Sequence, residues 1–169
     1  MKIILVVLVS LFAGSAAGVQ QPASPDPGKC PMHDARSPMN QRAEKGMGFS
    51  QTATTHHFLL RSDGGVIQVG ARDSADTASR DEIRMHLVHI TRAFQNGDFD
   101  VPMFVHDTVP PGVPAMKRLQ KQIHYSFQET PNGGRVVISS TDKDAVKAVH
   151  SFLRFQIKEH TTGDATEFR

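Results

Sequence analysis

The feature that most constrains the fold is a pattern of strand, glycine pair, strand and helix that occurs twice. The two hairpins read "HHFLLRSDGGVIQVGA" and "IHYSFQETPNGGRVVISS", with apolar residues at alternate positions around Gly-Gly. Alternation indicates half-buried strands, here over residues 55–61 and 66–71 in the first copy. Since each glycine pair joins two strands and neither opens a helix, we expect positive-φ hairpin turns rather than phosphate loops at Gly64-Gly65 and Gly133-Gly134.

Each hairpin is followed by a segment with the apolar spacing of an amphipathic helix. The first helix is predicted to begin at a capping box formed by Ser79 and Glu82 and to end near residue 95, before Asn96-Gly97. Its buried stripe comprises Ile83, Leu87, Ile90 and Phe94. The inner side of the second helix comprises Ala145, Val149, Phe152, Leu153, Gln156 and His160. Between the two units we expect an extended segment over 103–106 and a helical turn or two over 115–120.

Two such ββα units predict an α+β fold. Neither hairpin is large enough to be stable alone, but the two can join edge to edge into one four-stranded antiparallel sheet with both helices packed on one face. Side chains alternate between the faces of a strand. The positions expected to face the helices are His56, Phe58 and Leu60 in one unit and Ile123, Tyr125 and Phe127 in the other.

The chain of 169 residues has room for one domain of ordinary size. Its opening, "MKIILVVLVSLFAGSAAG", has a lone lysine, a short apolar run and small residues before a cleavage pattern, which predicts a signal peptide over 1–18. That run is too short to span a bilayer, so no stable membrane insertion is expected after cleavage. Five prolines and no apolar periodicity indicate a flexible leader over 19–46. The single α+β domain is then predicted over 47–169, in a periplasmic or secreted protein.

The charge balance argues against nucleic acid as a partner. The formal net charge is +2 with histidines neutral. Loss of Lys2 with the signal peptide leaves it lower still. Proteins that bind nucleic acid through phosphate contacts carry a clear basic excess. A metal ion or a periplasmic protein is the expected partner instead.

The leader contains the candidate metal ligands Cys30, Met32 and His33, which bring a thiolate, a thioether and an imidazole together. Cys30 is the only cysteine, so no internal disulfide can use it. Soft sulfur ligands in small number suit Cu(I) better than zinc, which favours four ligands at firm spacing. Met47, His56 and His57 are candidates to complete the site from the folded domain. The alternative is that these side chains occur in the leader by chance.

Other histidine patterns suggest weaker sites. His57 and His124 could form a metal-binding pair across the open face of the sheet, or a polar pair in contact with water. On the first helix, His89 shares a flank with Met85 and with His86, where the alternative is that these side chains border the core. The dipeptide His106-Asp107 could act in acid–base chemistry. No nucleophile stands in a recognisable context, so an enzyme that uses His106-Asp107 or the leader thiol is the least favoured of the alternatives.

Four phrases of the domain carry a resemblance to a known family: "MGFSQTATTHHFLL", "DTASRDEIRMHLVHI", "VPMFVHDTVPPGVP" and "FLRFQIKEHTTGD". They resemble an uncharacterised family of exported bacterial proteins, over nearly all of the mature domain. Members are sometimes labelled aspartate carbamoyltransferase, but the Ser-Thr-Arg-Thr motif with which that enzyme binds carbamoyl phosphate is absent here. The resemblance implies a shared fold and an exported location, and members tend to carry Met and His in the leader.

Two functions are therefore expected. The first is a small exported protein that binds or sequesters copper or another soft metal. The second is a metal-independent interaction or stress-related domain, in which the histidines are structural or respond to pH.

Overall fold

The computed structural model describes residues 37–168. Cys30, Met32 and His33 lie outside the described residues. The elements in chain order are α1 (Pro38–Met47), β1 (Thr54–Arg61), β2 (Gly64–Ala71), α2 (Thr77–Gln95), α3 (Asp100–His106), α4 (Val113–Arg118), a 3₁₀ turn (Gln120–Gln122), β3 (His124–Thr130), β4 (Gly133–Ser139) and α5 (Lys143–Glu159). Among these residues, no helix has both the length and the apolar character needed to cross a bilayer.

The predicted α+β class and the four-stranded antiparallel sheet are confirmed. The strand order is β1-β2-β4-β3, so the two hairpins join through β2 and β4. One row across the inner face contains Phe58, Ile67, Val136 and Phe127. These residues belong to or pack against the apolar core between the sheet and the helices. The predicted stripe of α2 and the predicted inner side of α5 are buried in the same layer.

Each long helix lies mainly over the hairpin of the other unit. α2 contacts β4 and β3 more extensively than β2, while α5 contacts β1 and β2. The apolar face of each hairpin is therefore covered by a helix from the other copy. Because neither copy can bury its own apolar face, the two must fold as one body.

The glycine pairs do not form the hairpin turns that the sequence predicted for them. The turns fall at Ser62-Asp63 and Pro131-Asn132, and both glycine pairs begin a strand. Of the four glycines in the two pairs, only Gly64 has positive φ, at 144°. A Cβ would lie 2.2 Å from Ile138 O at Gly64 and 2.3 Å from Val69 O at Gly133. These glycines are required because β2 and β4 approach each other closely at both ends of their pairing, so the prediction of positive-φ turns was wrong for three of the four.

The start of the first long helix and the conformation of residues 103–106 also differ from the sequence prediction. The first long helix begins at Thr77, because Asp76 rather than Ser79 is the N-cap and its side chain accepts from Ser79 N. The segment predicted to be extended over 103–106 belongs to helix α3. Pro102 is compatible with a helix there because it lies in the first turn, where N–H groups have no partner within the helix.

The packed structure begins earlier than the predicted boundary at Met47. Helix α1 lies mostly within the stretch assigned to the leader, with Ser37 as N-cap and Pro38 in its first turn. Ala43 is fully buried, and Arg42 Nε donates to Val105 O at 2.9 Å. These contacts with α3 stabilise a helix whose polar sequence shows no apolar periodicity.

The segment that follows α5 covers the outer edge of β1. Asp164 Oδ2 accepts from Phe58 N at 2.8 Å, and Arg154 Nε donates to Thr166 O at 2.8 Å. An exposed sheet edge presents unpaired backbone groups to other chains. The C-terminal segment therefore protects this edge.

The central pairing gives a test with a matched control. Gly133→Ala should destabilise the fold by about 2 to 3 kcal/mol, since its Cβ would collide with a backbone carbonyl. Gly70 lies directly opposite Gly133, but a Cβ there would have its nearest neighbour at 3.7 Å. Gly70→Ala should change the free energy of unfolding by less than about 1 kcal/mol. Urea denaturation of both variants measures this, and equal effects would contradict the assignment.

Candidate functional site

A cavity of about 60 Å³ lies between the helix-covered face of the sheet and helices α1, α2, α3 and α5. Much of its wall is apolar, with Phe58, Ile67 and Leu87 among the lining residues. Six lining residues carry chemically useful atoms and define what we call the histidine cavity: Met47, His56, His86, His106, Gln156 and His160. A space of this size can hold a metal ion or a few water molecules, which need roughly 10 to 15 Å³ each by this measure.

Five separate elements supply these side chains. Met47 ends α1, His56 lies in β1, His86 lies on α2 and His106 ends α3, while Gln156 and His160 come from α5 and its C-cap. His56 faces inward because it shares the face of Phe58. His160 lies four residues after Gln156, one helical turn further along. Only the packing of all five elements brings these residues together.

The imidazoles pack against each other and against neighbouring aromatic rings. His56 stacks on His160 with ring centroids 5.6 Å apart, and on Phe49 at 5.9 Å. His106 meets His160 edge to face at 5.1 Å. His86 meets Phe49 edge to face at 5.5 Å. The rings are therefore fixed by contacts on several sides.

One hydrogen bond determines which ring nitrogen of His106 carries the hydrogen. Its Nε2 lies 2.9 Å from Gln156 Oε1. An amide oxygen can only accept, so Nε2 carries the hydrogen and Nδ1 has a free lone pair. That Nδ1 is buried without a hydrogen-bond partner, and the same holds for His56 Nε2 and Gln156 Nε2. Buried polar atoms without partners are uncommon in folded proteins.

Burial keeps these histidines uncharged at neutral pH. It is the largest cause that lowers the pKa of His56 to about 4, helped by the charges of His86, His57 and Arg72. Burial also lowers the pKa of His86 to about 4, with a smaller effect of His89. The pKa values of His160 and His106 are lowered mainly by burial too. Neutral imidazoles are the form that binds metal ions.

The structure brings together two of the predicted ligands, Met47 and His56. His57 points to the opposite face, where its Nδ1 lies 3.0 Å from Asp164 Oδ1. It therefore does not share the cavity, as the alternation along β1 requires.

The proposed pair of His57 and His124 is not formed. β1 and β3 are opposite edges of the sheet, and the register places His57 in the row of Gln128 rather than that of His124. Similar hairpin sequences suggested equivalent positions, but the hairpins join in antiparallel orientation. Equivalent residues of the two copies therefore lie at opposite ends of the sheet.

The residues of the other groupings suggested by the sequence do not come together in the structure. On α2, His86 lines the cavity, whereas His89 and Met85 are exposed. Asp107 is exposed, and His106 bonds to Gln156 instead, so the predicted acid–base pair is not formed. Within residues 37–168, no three His, Cys, Asp or Glu side chains are grouped so that they could hold a metal ion.

Sequence reasoning missed the roles of His106, Gln156 and His160. Gln156 and His160 were placed on the inner side of the last helix, and two polar residues on a buried face were the available signal. His106 gave no such signal, because its segment was expected to be extended.

Comparison with known proteins gave no match to a family model, a curated protein or a solved structure. The family resemblance in the sequence phrases therefore stays a prediction. The function of this chain has to be inferred from its own geometry and chemistry.

The buried imidazoles predict that the metal-free protein loses stability in mild acid. Below pH 6.5 the unfolded chain binds protons at His56 and His86, while the folded protein does not until near pH 4. The free energy of unfolding should therefore fall from pH 6.5 to pH 4, by about 2 kcal/mol for each ring at pH 5. Urea denaturation across this range measures the fall.

Two variants identify the residues responsible. His56→Phe should make the pH dependence shallower, because it removes one of the titrating rings. His124→Ala, at an exposed position on the edge strand β3, should leave it unchanged. Stability that is constant from pH 7 to pH 4.5 would contradict the burial argument.

Proposed function

We propose that this protein is an exported copper-binding protein that sequesters or passes on Cu(I). Its ligands are drawn from Cys30, Met32 and His33 in the leader and from Met47 and His56 in the histidine cavity. The observation that carries the proposal is that Met47 and His56, from two different elements, line one cavity with three further imidazoles.

The chemistry of the cavity suits a soft ion. Thioether and imidazole are both ligands that Cu(I) accepts, and Cu(I) needs fewer ligands than zinc. The low pKa values leave the imidazole lone pairs free at neutral pH. Apolar side chains make up most of the cavity wall, which lowers the local polarity around a bound ion.

The leader can reach the cavity from the far end of α1. This helix of ten residues is about 15 Å long, and Met47 is its last residue. The segment from Cys30 to Ser37, if extended, spans up to about 23 Å. A leader that folds back along α1 can therefore bring Cys30 to the side of Met47.

Competitive titration tests the proposal. The mature chain, titrated with Cu(I) against a colorimetric chelator under anaerobic conditions, should bind one equivalent. Cys30→Ser with His33→Ala, and separately Met47→Leu with His56→Phe, should each weaken the affinity by about 10- to 100-fold. His89→Ala serves as the control because this histidine is exposed. Absence of Cu(I) binding by the unmodified chain would overturn the function, and an affinity unaffected by the Cys30/His33 variant would remove the leader from the site.

A second candidate function, a metal-independent interaction domain, is favoured by the face of the sheet opposite α2 and α5. Leu59, Val66 and Val137 are register neighbours on that face, and Leu59 is 41% exposed. Val66 is buried and Val137 is half-buried, so Leu59 is the main apolar contact that this face offers to a periplasmic protein.

Thermal melting separates the two functions. Copper at about 100 times its dissociation constant should stabilise a copper-binding protein by about 2.7 kcal/mol, because the ion binds only the folded state. The melting midpoint at pH 7.5 should then rise clearly on addition of Cu(I). A midpoint that does not respond to Cu(I) would favour the interaction domain.

A further inference from the structure

The histidine cavity contains two imidazole nitrogens that are buried and have no partner, Nε2 of His56 and Nδ1 of His106. Another buried histidine of the same fold, His150, is satisfied differently. Its Nε2 lies 2.9 Å from Arg61 O and 3.1 Å from Gly64 O, both backbone acceptors. This difference singles out the cavity as the place where the fold leaves imidazole nitrogens available to a ligand.

Gln156 determines which nitrogen of His106 is available. Gln156 is 4% exposed, and its Oε1 accepts the hydrogen of His106 Nε2 at 2.9 Å. Nδ1 is then unprotonated, as a metal ligand must be. Amide or carboxylate partners on the second nitrogen fix the tautomer and orientation of metal-binding histidines in this way.

Neighbouring aromatic rings fix the orientation of the His106 ring, just as Gln156 fixes its tautomer. Phe155 meets His106 edge to face at 5.0 Å, and His160 does so at 5.1 Å. Since Gln156 and Phe155 both belong to α5, one helix controls the position of a histidine supplied by α3. His160, which contacts both His106 and His56, spaces the two rings.

We propose that His106 Nδ1 and His56 Nε2 are the two nitrogen ligands of a single Cu(I) ion whose sulfur ligand in the domain is Met47, and that Gln156 is the positioning residue for His106. This inference rests on the proposed copper function and identifies the atoms of the folded domain that would bind the ion. Two imidazoles and a thioether meet the low coordination number that Cu(I) tolerates.

The first test measures the affinity of the mature full-length chain for Cu(I) against a competing chelator. His106→Phe keeps an aromatic ring in the cavity but removes the ligand, and should weaken binding by about 10- to 100-fold. Gln156→Leu leaves His106 in place but removes its acceptor, and should weaken binding to a similar extent. Gln156→Glu restores an acceptor for Nε2–H, so it should recover most of the affinity. His150→Phe replaces a buried histidine outside the cavity and should leave the affinity unchanged.

The second test begins with the unmodified chain, so its main result does not depend on whether a variant folds. X-ray absorption spectroscopy of the unmodified copper-loaded chain should show imidazole scattering from two rings together with sulfur. His106→Phe, if folded by circular dichroism, should lose one of the two rings. A purely structural role of Gln156 would lower the melting midpoint of the metal-free protein without changing this spectrum.

The outcomes distinguish this inference from the function it rests on. No Cu(I) binding by the unmodified chain overturns the copper function and this inference with it. Binding without imidazole scattering overturns the inference alone. An affinity for Cu(I) that is unchanged in His106→Phe and Gln156→Leu also overturns the inference alone, since neither residue would then contribute to binding of the ion.

Discussion

The close pairing of β2 with β4 is the interaction on which the rest of the structure depends. It joins two hairpins that are each too small to be stable alone, and it is possible because Gly64 and Gly133 leave room for the carbonyls of Ile138 and Val69. Once the strands are joined, α2 and α5 cover the apolar face, each over the hairpin of the other unit. The repeated sequence therefore produces one interlocked body rather than two small ones.

The histidine cavity is a consequence of that body and also a weakness in it. Placing neutral imidazoles among apolar side chains lowers their pKa values and leaves some nitrogens without partners. Buried polar atoms of this kind reduce stability unless something binds them. A fold that keeps such a cluster at the junction of five elements has a place where a bound ion would add stability and where acid would remove it. Both effects have the same cause, which is that polar imidazole nitrogens are buried without hydrogen-bond partners.

The sequence predicted the parts of the fold that depend on periodicity. Alternating apolar residues located the four strands, and the stripe from Ile83 to Phe94 located α2, because burial on one face leaves a period that can be read directly. The predictions failed where local signals compete or where tertiary contacts decide. Ser79 and Asp76 are both good capping residues, and in the structure the Asp76 side chain accepts from Ser79 N, so the helix begins before Ser79. Helix α1 has a polar sequence, and contacts such as Arg42 with Val105 stabilise it.

The candidate site, like the fold, could be predicted from the sequence only where local geometry decides. The sequence by itself determined which residue types are present, that His56 and His57 face opposite ways, and that Gln156 and His160 lie on a buried helix face, since each depends on the geometry of one strand or one helix. Only the tertiary structure decided that Met47, His56, His106 and Gln156 surround one cavity, and that His57 and His124 lie far apart. The physical reason is that these relations depend on the strand order and on which helix covers which hairpin. Both are set by packing between segments distant in the chain, which no local pattern records.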